Sequence, residues 1–596
     1  MSKELKKHLI LTLLFILGAL AIFGISLPYP FFVFDDSIHI VNNTRVSFFN
    51  LENIIWHWQN SKTPLIFNFW QMLALIFGTD SAWGFRLANI IIHGINSYLV
   101  YIWIKILSRK TFDSFDQQKS FGEISAFIGA IFFLVHPLHT EVVVWVSAQK
   151  DSFVTLFGML SFIFYFKAFD QKKKSVQHNV TAFIFFLLGV LVKPSILPLV
   201  FVYLWLDITL FKISFSKILP RYFHYFILGS IIAFLHLKEL YAATPNITFI
   251  NKALVAFDSI RLTLFNTVFP FDLKFDYQRT LNIISYQISN STSYQISIVL
   301  VGIFVYLAFI SYYKKFWRPF HYSMGVFIIL LSINMGFIPF LFQNISTVAD
   351  RYAYFPSIGF SLFISWLTWL ALKRFNKKIF VYAILGIFLV SEAALSLNQA
   401  RYWSSSSNLI KRSVQSTYLS FASVVSLGVA LDTEGHPSEA TEYFKAALQL
   451  APDNAEAYEH LFKSLVNANK LEDATQVLIE ISQKKIPSSS AHFLIDVAKY
   501  YLKGGEIFKA EEVIQNVETL ADANEDSYLK GEVKSLRTTF ETQKKEKIYN
   551  ALWFIGTLEY ERKNYAETKK LFKEALSLIP DGKHQQQIYV ILDKIK

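Results

Sequence analysis

Two adjacent acids, Asp35 and Asp36, close the segment PFFVFDD that follows the first long apolar run of the sequence. Neighbouring carboxylates beside a membrane-spanning segment are costly to place, so such residues usually serve a function. An ionised carboxylate that faces a hydroxyl group can remove its proton as a general base, while the second acid orients the loop. The alternative that the residues leave open is an aspartate that caps a short helix of the loop.

Four further polar side chains are candidates for lining a site: His39 in the same loop, and His136, His139 and Glu141 in the segment HPLHTE. Histidine and glutamate can bind a metal ion, but single histidines near a membrane surface are more often hydrogen-bonded structural groups. We expect these residues to face a phosphate or an acceptor. No metal or other cofactor is required in this interpretation, and a divalent metal ion is the alternative.

The segment DRYAYFPS carries Asp350 and Arg351. The planar fork of an arginine binds two phosphate oxygens at once, so Arg351 is the first candidate for binding the phosphate of a lipid-linked donor. Asp350 is expected to line the same site, and a simple ion pair between the two residues is the alternative. Three weaker phosphate-binding candidates could equally be cations that extend towards the membrane surface. They are Arg86, Lys193 and Arg279.

Composition divides the 596 residues into an apolar part and a polar part. The chain is 53% apolar and 17% charged, and nearly all long apolar runs lie before about residue 400. The net charge is +12, but the basic residues cluster in short loops between apolar runs, as the positive-inside rule describes. This distribution argues against nucleic-acid binding. The absence of cysteine excludes a disulfide framework and a thiolate metal site.

Eleven apolar segments predict an all-α, polytopic membrane domain over residues 1–400. A transmembrane helix needs roughly 20 apolar residues. The first segment follows a basic N-terminus and lacks a clear cleavage site, so we interpret it as a retained helix. The predicted spans are 9–27, 82–104, 123–138, 153–169, 179–192, 196–211, 222–237, 296–312, 323–342, 355–372 and 379–397.

The basic loops give these spans an orientation. Basic residues precede the first span and follow the second, fourth, sixth, eighth and tenth, so they all lie on one side if the N-terminus is cytoplasmic. Asp35, Asp36, Glu141 and Arg351 then lie on the opposite side, together with the C-terminal part. Segment 252–269 is apolar enough to span the bilayer, but a further crossing would disturb this pattern. We therefore predict an amphipathic helix at the membrane interface there.

Residues 421–596 show a period of 34 residues, the length of a tetratricopeptide repeat. Copies begin near positions 421, 455, 491 and 549, whereas 526–547 is charged and irregular and is interpreted as an atypical helical pair or connector. Such repeats stack into an α-solenoid with a concave groove. The groove predicts a site for a protein or peptide partner, with a packing or dimerisation module as the alternative. Residues 401–420 are predicted to connect the two domains.

Five segments together resemble motifs of the transmembrane and tetratricopeptide-repeat O-mannosyltransferases, the TMTC family. The run PFFVFDDSIHIVNNTRV resembles the family's first-loop motif, HPLHTEVVVWVSAQKD its HP-HTE segment and DRYAYFPSIG its (E/D)R-x-x-Y-x-PS-x-G motif. NTVFPFDLKFDY is similar to its loop motif ending in an acidic–aromatic pair, and RYW resembles the Arg–aromatic segment before the repeats. These segments occupy 30–46, 136–151, 350–359, 266–277 and 401–403.

This resemblance implies a GT-C glycosyltransferase fold and transfer of mannose from a polyprenyl phosphate to Ser or Thr of proteins. Asp35 matches the first acid of the family motif, the base, and Asp36 matches its partner. A phosphate leaving group needs cations rather than a general acid, and a single displacement inverts the sugar. The Phe-, Ile- and Lys-rich composition suggests a bacterial relative in the inner membrane, with periplasmic repeats.

Two alternatives stay open beside this interpretation. The same donor chemistry could serve a lipid or glycan acceptor, or the chain could be a non-catalytic membrane scaffold that presents its repeats to partners. A transporter is disfavoured, because no charged residue lies at the centre of a predicted span and the sequence shows no inverted repeat of broken helices.

Overall fold

The computed structural model describes residues 2–112, 119–170, 174–242, 249–336, 341–344, 346–414, 420–484, 491–523 and 527–595. Within these ranges the chain forms helices and no β-strand, which confirms the predicted all-α class. It divides into two units, Met1–Ser423 and Val424–Lys596. The predicted connector 401–420, the predicted span 323–342 and the segment 526–547 extend partly outside the described residues.

Long helices of the first unit pack around one apolar core, which includes the fully buried side chains of Trp70 and Trp103. Short helices follow the first long helix and form the loop that carries the two adjacent acids. The α-helices of this unit are Lys3–Phe23, Thr44–Ser47, Leu51–Asn60, Pro64–Phe77, Trp83–Thr111, Lys119–Val135, Thr140–Val144, Gln149–Asp170, Ser175–Val192, Leu199–Thr209, Phe215–Ala242, Phe249–Val268, Leu281–Asn290, Thr292–Ile310, Arg318–Leu331, Ser357–Arg374, Lys378–Tyr402 and Ser406–Val414.

Within the described residues, seven helical segments are long and apolar enough to cross a membrane, so the unit is a multi-pass membrane domain. An eighth candidate is the bent pair Gly122–Val135 and Pro137–Val144, whose two parts meet at 49°. The total of eleven stays a prediction, because the other predicted spans fall on shorter or more polar helices. The seven segments are Lys3–Ser26, Trp83–Thr111, Val146–Asp170, Ser175–Val192, Tyr294–Tyr313, Lys315–Asn334 and Lys378–Tyr402.

The predicted span 355–372 falls on one of the more polar helices, Ser357–Arg374. Its Ser361 and Ser365 are fully buried. A side chain in place of Gly129 would lie 2.5 Å from the Ser361 carbonyl oxygen, so the neighbouring helix approaches very closely here. Small residues at helix contacts are typical of membrane bundles. The polarity of this helix therefore reflects tight packing inside the bundle.

Pro137 determines the direction of the HPLHTE segment. Proline has no N–H and cannot continue the hydrogen-bond ladder of a helix. Helix Lys119–Val135 therefore ends before it, and a 3-10 turn at Pro137–His139 leads into the short helix Thr140–Val144. This break turns the chain so that Glu141 is buried within the unit instead of continuing along the first helix axis.

The second unit consists of successive helix pairs, as the repeat period predicts. A Cβ atom at Gly428 would lie 2.6 Å from the Phe444 ring, and one at Gly556 would lie 2.4 Å from the Phe572 ring, so small residues allow close approach within a pair. The segment 526–547 was predicted as an atypical helical pair or connector, and its described residues belong to one 35-residue helix, Ser527–Glu561. The helices are Phe421–Thr433, Pro437–Leu450, Ala455–Asn467, Leu471–Lys484, Ala491–Lys503, Ile507–Ala523, Ser527–Glu561, Tyr565–Leu578 and Gln585–Lys594.

Candidate active site

The two adjacent acids have opposite environments. Asp36 is fully buried, and its carboxylate accepts hydrogen bonds from the Phe32 N–H at 3.1 Å and from the N–H and hydroxyl of Ser147 at 2.9 and 2.5 Å. Asp35 is exposed, and its side chain forms no hydrogen bond or ion pair with the described residues. The pair thus contains one acid that holds two segments together and one that is free to meet a ligand.

Burial raises the pKa of Asp36, while the hydrogen bonds from Ser147 and Phe32 and the nearby Arg86 guanidinium act to lower it. Asp36 occupies the position before the short helical turn Ser37–Val41, yet its side chain forms no capping hydrogen bond to that turn. Its bonds go to Phe32 and to Ser147 instead. Asp36 therefore does not cap this turn through its side chain.

Two basic groups surround the exposed acid. The Lys150 ammonium and the His39 imidazole both lie within electrostatic range of Asp35. Lys150 lies over the Trp70 ring, 5.3 Å from its centroid, and His39 stacks at 6.2 Å on the same ring. Burial lowers the pKa of His39, the Lys150 charge lowers it further, and Asp35 opposes both. Trp70 therefore supports a small group of one acid, one amine and one imidazole.

Lys150 was not among the residues singled out from the sequence as phosphate ligands. It forms no salt bridge with the described residues, although it contacts aromatic rings. Its neighbour Asp151 instead binds Lys193, with distances from the Lys193 amine of 2.7 and 2.8 Å to the two carboxylate oxygens. Lys150 could have been found from the QKD end of the HP-HTE-like segment, where an amine stands beside an acid.

Arg351 pairs with Glu141 rather than with its sequence neighbour. Its guanidinium forms a salt bridge to the Glu141 carboxylate, and its backbone N–H donates to the same group at 3.0 Å. The guanidinium also lies over the Phe342 ring at 4.3 Å and the Tyr352 ring at 5.0 Å. The Lys193 amine lies 5.9 Å from the Tyr352 centroid, so that ring lies beside two of the four predicted phosphate-binding cations, Arg351 and Lys193.

Asp350 has a different partner. It accepts a hydrogen bond of 2.6 Å from the Tyr277 hydroxyl, which in turn accepts one of 2.7 Å from the Asn266 amide. Burial raises the pKa of Asp350 well above its usual range, and the nearby Glu141 carboxylate raises it further. This link joins the loop motif that ends at Tyr277 to the segment that carries Arg351.

Arg86 is engaged with the backbone. It is fully buried, and it donates to the carbonyl oxygens of Val144 at 2.9 Å, Ser26 at 3.4 Å, and Tyr29 and Pro30. The Ser26, Tyr29 and Pro30 carbonyls follow the first helix, and Val144 ends the short helix Thr140–Val144, so all four lie where helical partners become scarce. Arg86 therefore holds the first loop in place, and its donors are not directed at a ligand.

The remaining predicted cation, Arg279, belongs to another ionic group. Its guanidinium contacts the Asp258 carboxylate and the Tyr294 hydroxyl, and Arg261 binds the same carboxylate at 2.9 Å. No contact within the described residues joins Arg279 to Asp35 or Arg351. The structure thus separates it from the group around the exposed acid.

The two histidines of the HPLHTE segment are buried and bonded within the protein. His136 accepts the Leu138 N–H at 3.2 Å, and its other nitrogen lies 3.0 Å from the Thr267 carbonyl oxygen. His139 lies 2.6 Å from the Phe133 carbonyl oxygen and 2.8 Å from the Ser357 hydroxyl. Among the described residues, no three His, Asp or Glu side chains gather in a group that could hold a metal ion.

An aromatic cluster joins four of the motif segments. Phe34 stacks on Phe275 at 5.0 Å, and Phe32 packs edge-on against Trp403 at 5.1 Å. Trp145 contacts Phe275 at 5.5 Å and Trp403 at 6.2 Å. Sequence reasoning did not assign a role to these rings. They fix the loop that carries Asp35 against the segments that carry Glu141 and the acidic–aromatic motif.

Similarity to known proteins agrees with these motifs. Residues 433–485 match the tetratricopeptide repeat family. The human protein named Protein O-mannosyl-transferase TMTC4 is 29% identical over 180 residues, which are 28% of this chain and 24% of that protein. The mouse protein of the same name is 29% identical over 164 residues, 25% of this chain and 22% of that protein. The chain thus matches about a quarter of the length of these relatives. The predicted repeats and the resemblance to the TMTC family are confirmed.

Proposed function

We propose that this chain is a membrane glycosyltransferase that moves mannose from a polyprenyl-phosphate donor to Ser or Thr hydroxyl groups of proteins. The relatives carry the name of protein O-mannosyl-transferases, which supports the reaction class. Transfer takes place on the non-cytoplasmic side, with the N-terminus in the cytoplasm of a bacterial cell. The observation that carries the proposal is the exposed, unbonded Asp35 beside the buried, fully bonded Asp36.

Asp35 acts as the general base. It takes the proton of the acceptor hydroxyl while that oxygen forms a bond to the anomeric carbon of the sugar. The bond from that carbon to the phosphate oxygen breaks, and the phosphate leaves with the electron pair. Attack from the opposite face inverts the configuration of the sugar. Asp36 is unsuited to this role, because both of its carboxylate oxygens already accept hydrogen bonds inside the protein.

Lys150 is the first candidate for stabilising the leaving phosphate. It lies within electrostatic range of Asp35, and its charge has no salt-bridge partner among the described residues. Arg351 and Lys193 are assigned a supporting role, since Glu141 and Asp151 already balance their charges. A preorganised cation next to developing negative charge is worth much more in a partly buried site than in water.

The repeats are proposed to hold the protein acceptor in their concave surface. Tetratricopeptide repeats cannot bury their apolar faces singly, and their stacking creates an extended surface of that kind. The match at residues 433–485 supports a working repeat region. A protein acceptor therefore explains why one chain combines a membrane domain with a solenoid.

The test is a transfer assay with the purified full chain, a radiolabelled polyprenyl-phosphate mannose and a Ser/Thr-rich peptide pool. Wild type is compared with Asp35→Asn and with Asp80→Asn, an exposed acid of the same predicted loop that forms no side-chain hydrogen bond with the described residues. Label on peptide with wild type and Asp80→Asn, and none with Asp35→Asn, is the expected result. If label appeared only on lipid or glycan, the acceptor would be a lipid or glycan and not a protein. If no lipid-phosphate sugar were turned over, the non-catalytic scaffold would be favoured.

A further inference from the structure

A basic cavity of about 670 Å³ lies at the end of the last predicted span, Lys378–Tyr402. Four cations line it, Lys274, Arg401, Lys411 and Arg412, together with a single acid, Asp272. Its volume lies in the range of sites that hold a small ligand or a headgroup. The cavity is separate from the group formed by Asp35, His39 and Lys150, none of which lines it.

The cations of the cavity are incompletely balanced. Asp272 lies 3.0 Å from the Lys274 amine and 3.6 Å from the Arg412 guanidinium. Arg412 is also fixed by hydrogen bonds to the Gln399 side chain at 2.7 Å and to the Phe271 carbonyl oxygen at 3.1 Å. The Arg401 guanidinium forms no hydrogen bond or ion pair with the described residues. Asp272 thus serves both Lys274 and Arg412, and with Arg401 these three cations leave a net positive site for an anion.

The cations of the cavity lie at the end of the last span that is predicted to be non-cytoplasmic. The predicted orientation places the other basic loops in the cytoplasm, where the positive-inside rule accounts for them. Lys377 and Lys378 lie at the start of the last span, whereas Arg401 and the cavity lie at its other end. Basic residues on that side are not explained by topology, so they call for a ligand.

Exposed apolar side chains adjoin the cations. Three phenylalanine rings of this part of the membrane domain are exposed: Phe265, Phe269 and Phe271. The Phe271 carbonyl oxygen is the group that binds Arg412, so an exposed ring and a fixed cation are direct neighbours. Cations beside exposed aromatic rings are the usual arrangement where a protein meets the headgroup region of a bilayer.

We propose that this cavity binds the phosphate of an anionic phospholipid from the non-cytoplasmic leaflet, with the acyl chains along the exposed rings. Basic pockets beside membrane-spanning helices bind phospholipid headgroups in the same way. The site lies close to the catalytic loop, because Arg401 is within electrostatic range of the Tyr29 hydroxyl and Lys274 adjoins Phe275, which stacks on Phe34. Headgroup binding would therefore hold the segment next to Asp35 in place.

The test measures binding of a fluorescent phosphatidylglycerol to the full chain in detergent, with phosphatidylcholine and inorganic phosphate as the other probes. The variant Arg401→Gln/Lys411→Gln removes two cavity charges. The control Arg374→Gln/Lys377→Gln removes two charges beside the start of the last span, whereas the cavity lies at its other end. The charge-preserving variant Arg401→Lys/Lys411→Arg shows whether the charges or the packing matter.

We expect the cavity variant to weaken phosphatidylglycerol binding by roughly 10- to 30-fold. Phosphatidylcholine binding, the control variant and the charge-preserving variant should remain close to wild type. Equal binding of the two lipids, or wild-type affinity of the cavity variant, would overturn the site. Inorganic phosphate that binds as tightly as the lipid would overturn the lipid as occupant. Binding needs no donor sugar, so this result is independent of the transfer assay.

Discussion

The carboxylate of Asp36 accepts two hydrogen bonds from Ser147, a residue 111 positions later in the chain. This contact fastens the loop after the first membrane helix to the segment that leads into Lys150. It leaves Asp35 exposed beside that amine. The position of the proposed base relative to its cation therefore depends on the neighbouring acid.

The first prediction concerns this contact. Ser147→Ala removes the hydroxyl donor and leaves a buried carboxylate oxygen with one partner fewer, which costs about 1–3 kcal/mol of unfolding free energy. We expect a lower thermal midpoint together with slower transfer, because the loop that holds Asp35 loosens. The midpoint is measured in detergent beside the rate. Ser391→Ala, on an exposed turn of the last span, should change neither quantity.

Lys150→Gln tests the proposed phosphate ligand. Loss of a preorganised positive charge beside the leaving group should reduce the transfer rate by roughly 10²-fold, with little change in stability. Lys167→Gln is the matched control, since Lys167 belongs to the same helix as Lys150 and its amine also lies over an aromatic ring, 4.7 Å from the Phe164 centroid. Equal effects of the two substitutions in a steady-state assay would remove Lys150 from the site.

The pair formed by Arg351 and Glu141 is suited to a double-mutant cycle. Both side chains are nearly buried, so Glu141→Gln alone should cost about 3–5 kcal/mol by leaving an unpaired charge inside the protein. Arg351→Met combined with Glu141→Gln should cost less than the sum of the single changes. Denaturant midpoints measure the cycle. The exposed pair Lys110–Asp170 should show coupling of no more than about 1 kcal/mol.

The environment of His39 predicts that the stability of the protein depends on pH. Its folded pKa is lowered from 6.5, first by burial and then by Lys150. The unfolded chain therefore binds the proton more readily, so stability is lost as pH falls below about 6.5. His39→Gln should reduce this loss when thermal midpoints at about pH 7.5 and 5.5 are compared. If the difference between the two midpoints were the same in His39→Gln as in wild type, His39 would not be the titrating group. His436→Gln, at an exposed histidine, is the control variant.

The sequence alone predicted the helical class and the repeats. These features follow from apolar length and from the 34-residue period. Local patterns of this kind are determined by residues close together in the chain.

The partners of charged residues could not be predicted in this way. An ion pair between Arg351 and Asp350 was the alternative to a phosphate-binding role, yet Glu141 is the acid that pairs with Arg351, because the break at Pro137 turns its carboxylate inward. Arg86 was a phosphate candidate, but its donors bind the carbonyl oxygens of Val144 and of Pro30 in the loop after the first helix. Lys150 gained importance only from its position near Asp35, since nothing in spacing distinguishes it from Lys193.

The most direct test of the account is the single-turnover transfer rate of Asp35→Asn with saturating donor and peptide. A general base contributes about 10²- to 10⁴-fold, so we predict a loss of that size with an unchanged thermal midpoint, because Asp35 forms no hydrogen bond with the described residues. A rate close to wild type, in a folded variant that still binds the donor, would contradict the role of Asp35 and with it the proposed mechanism.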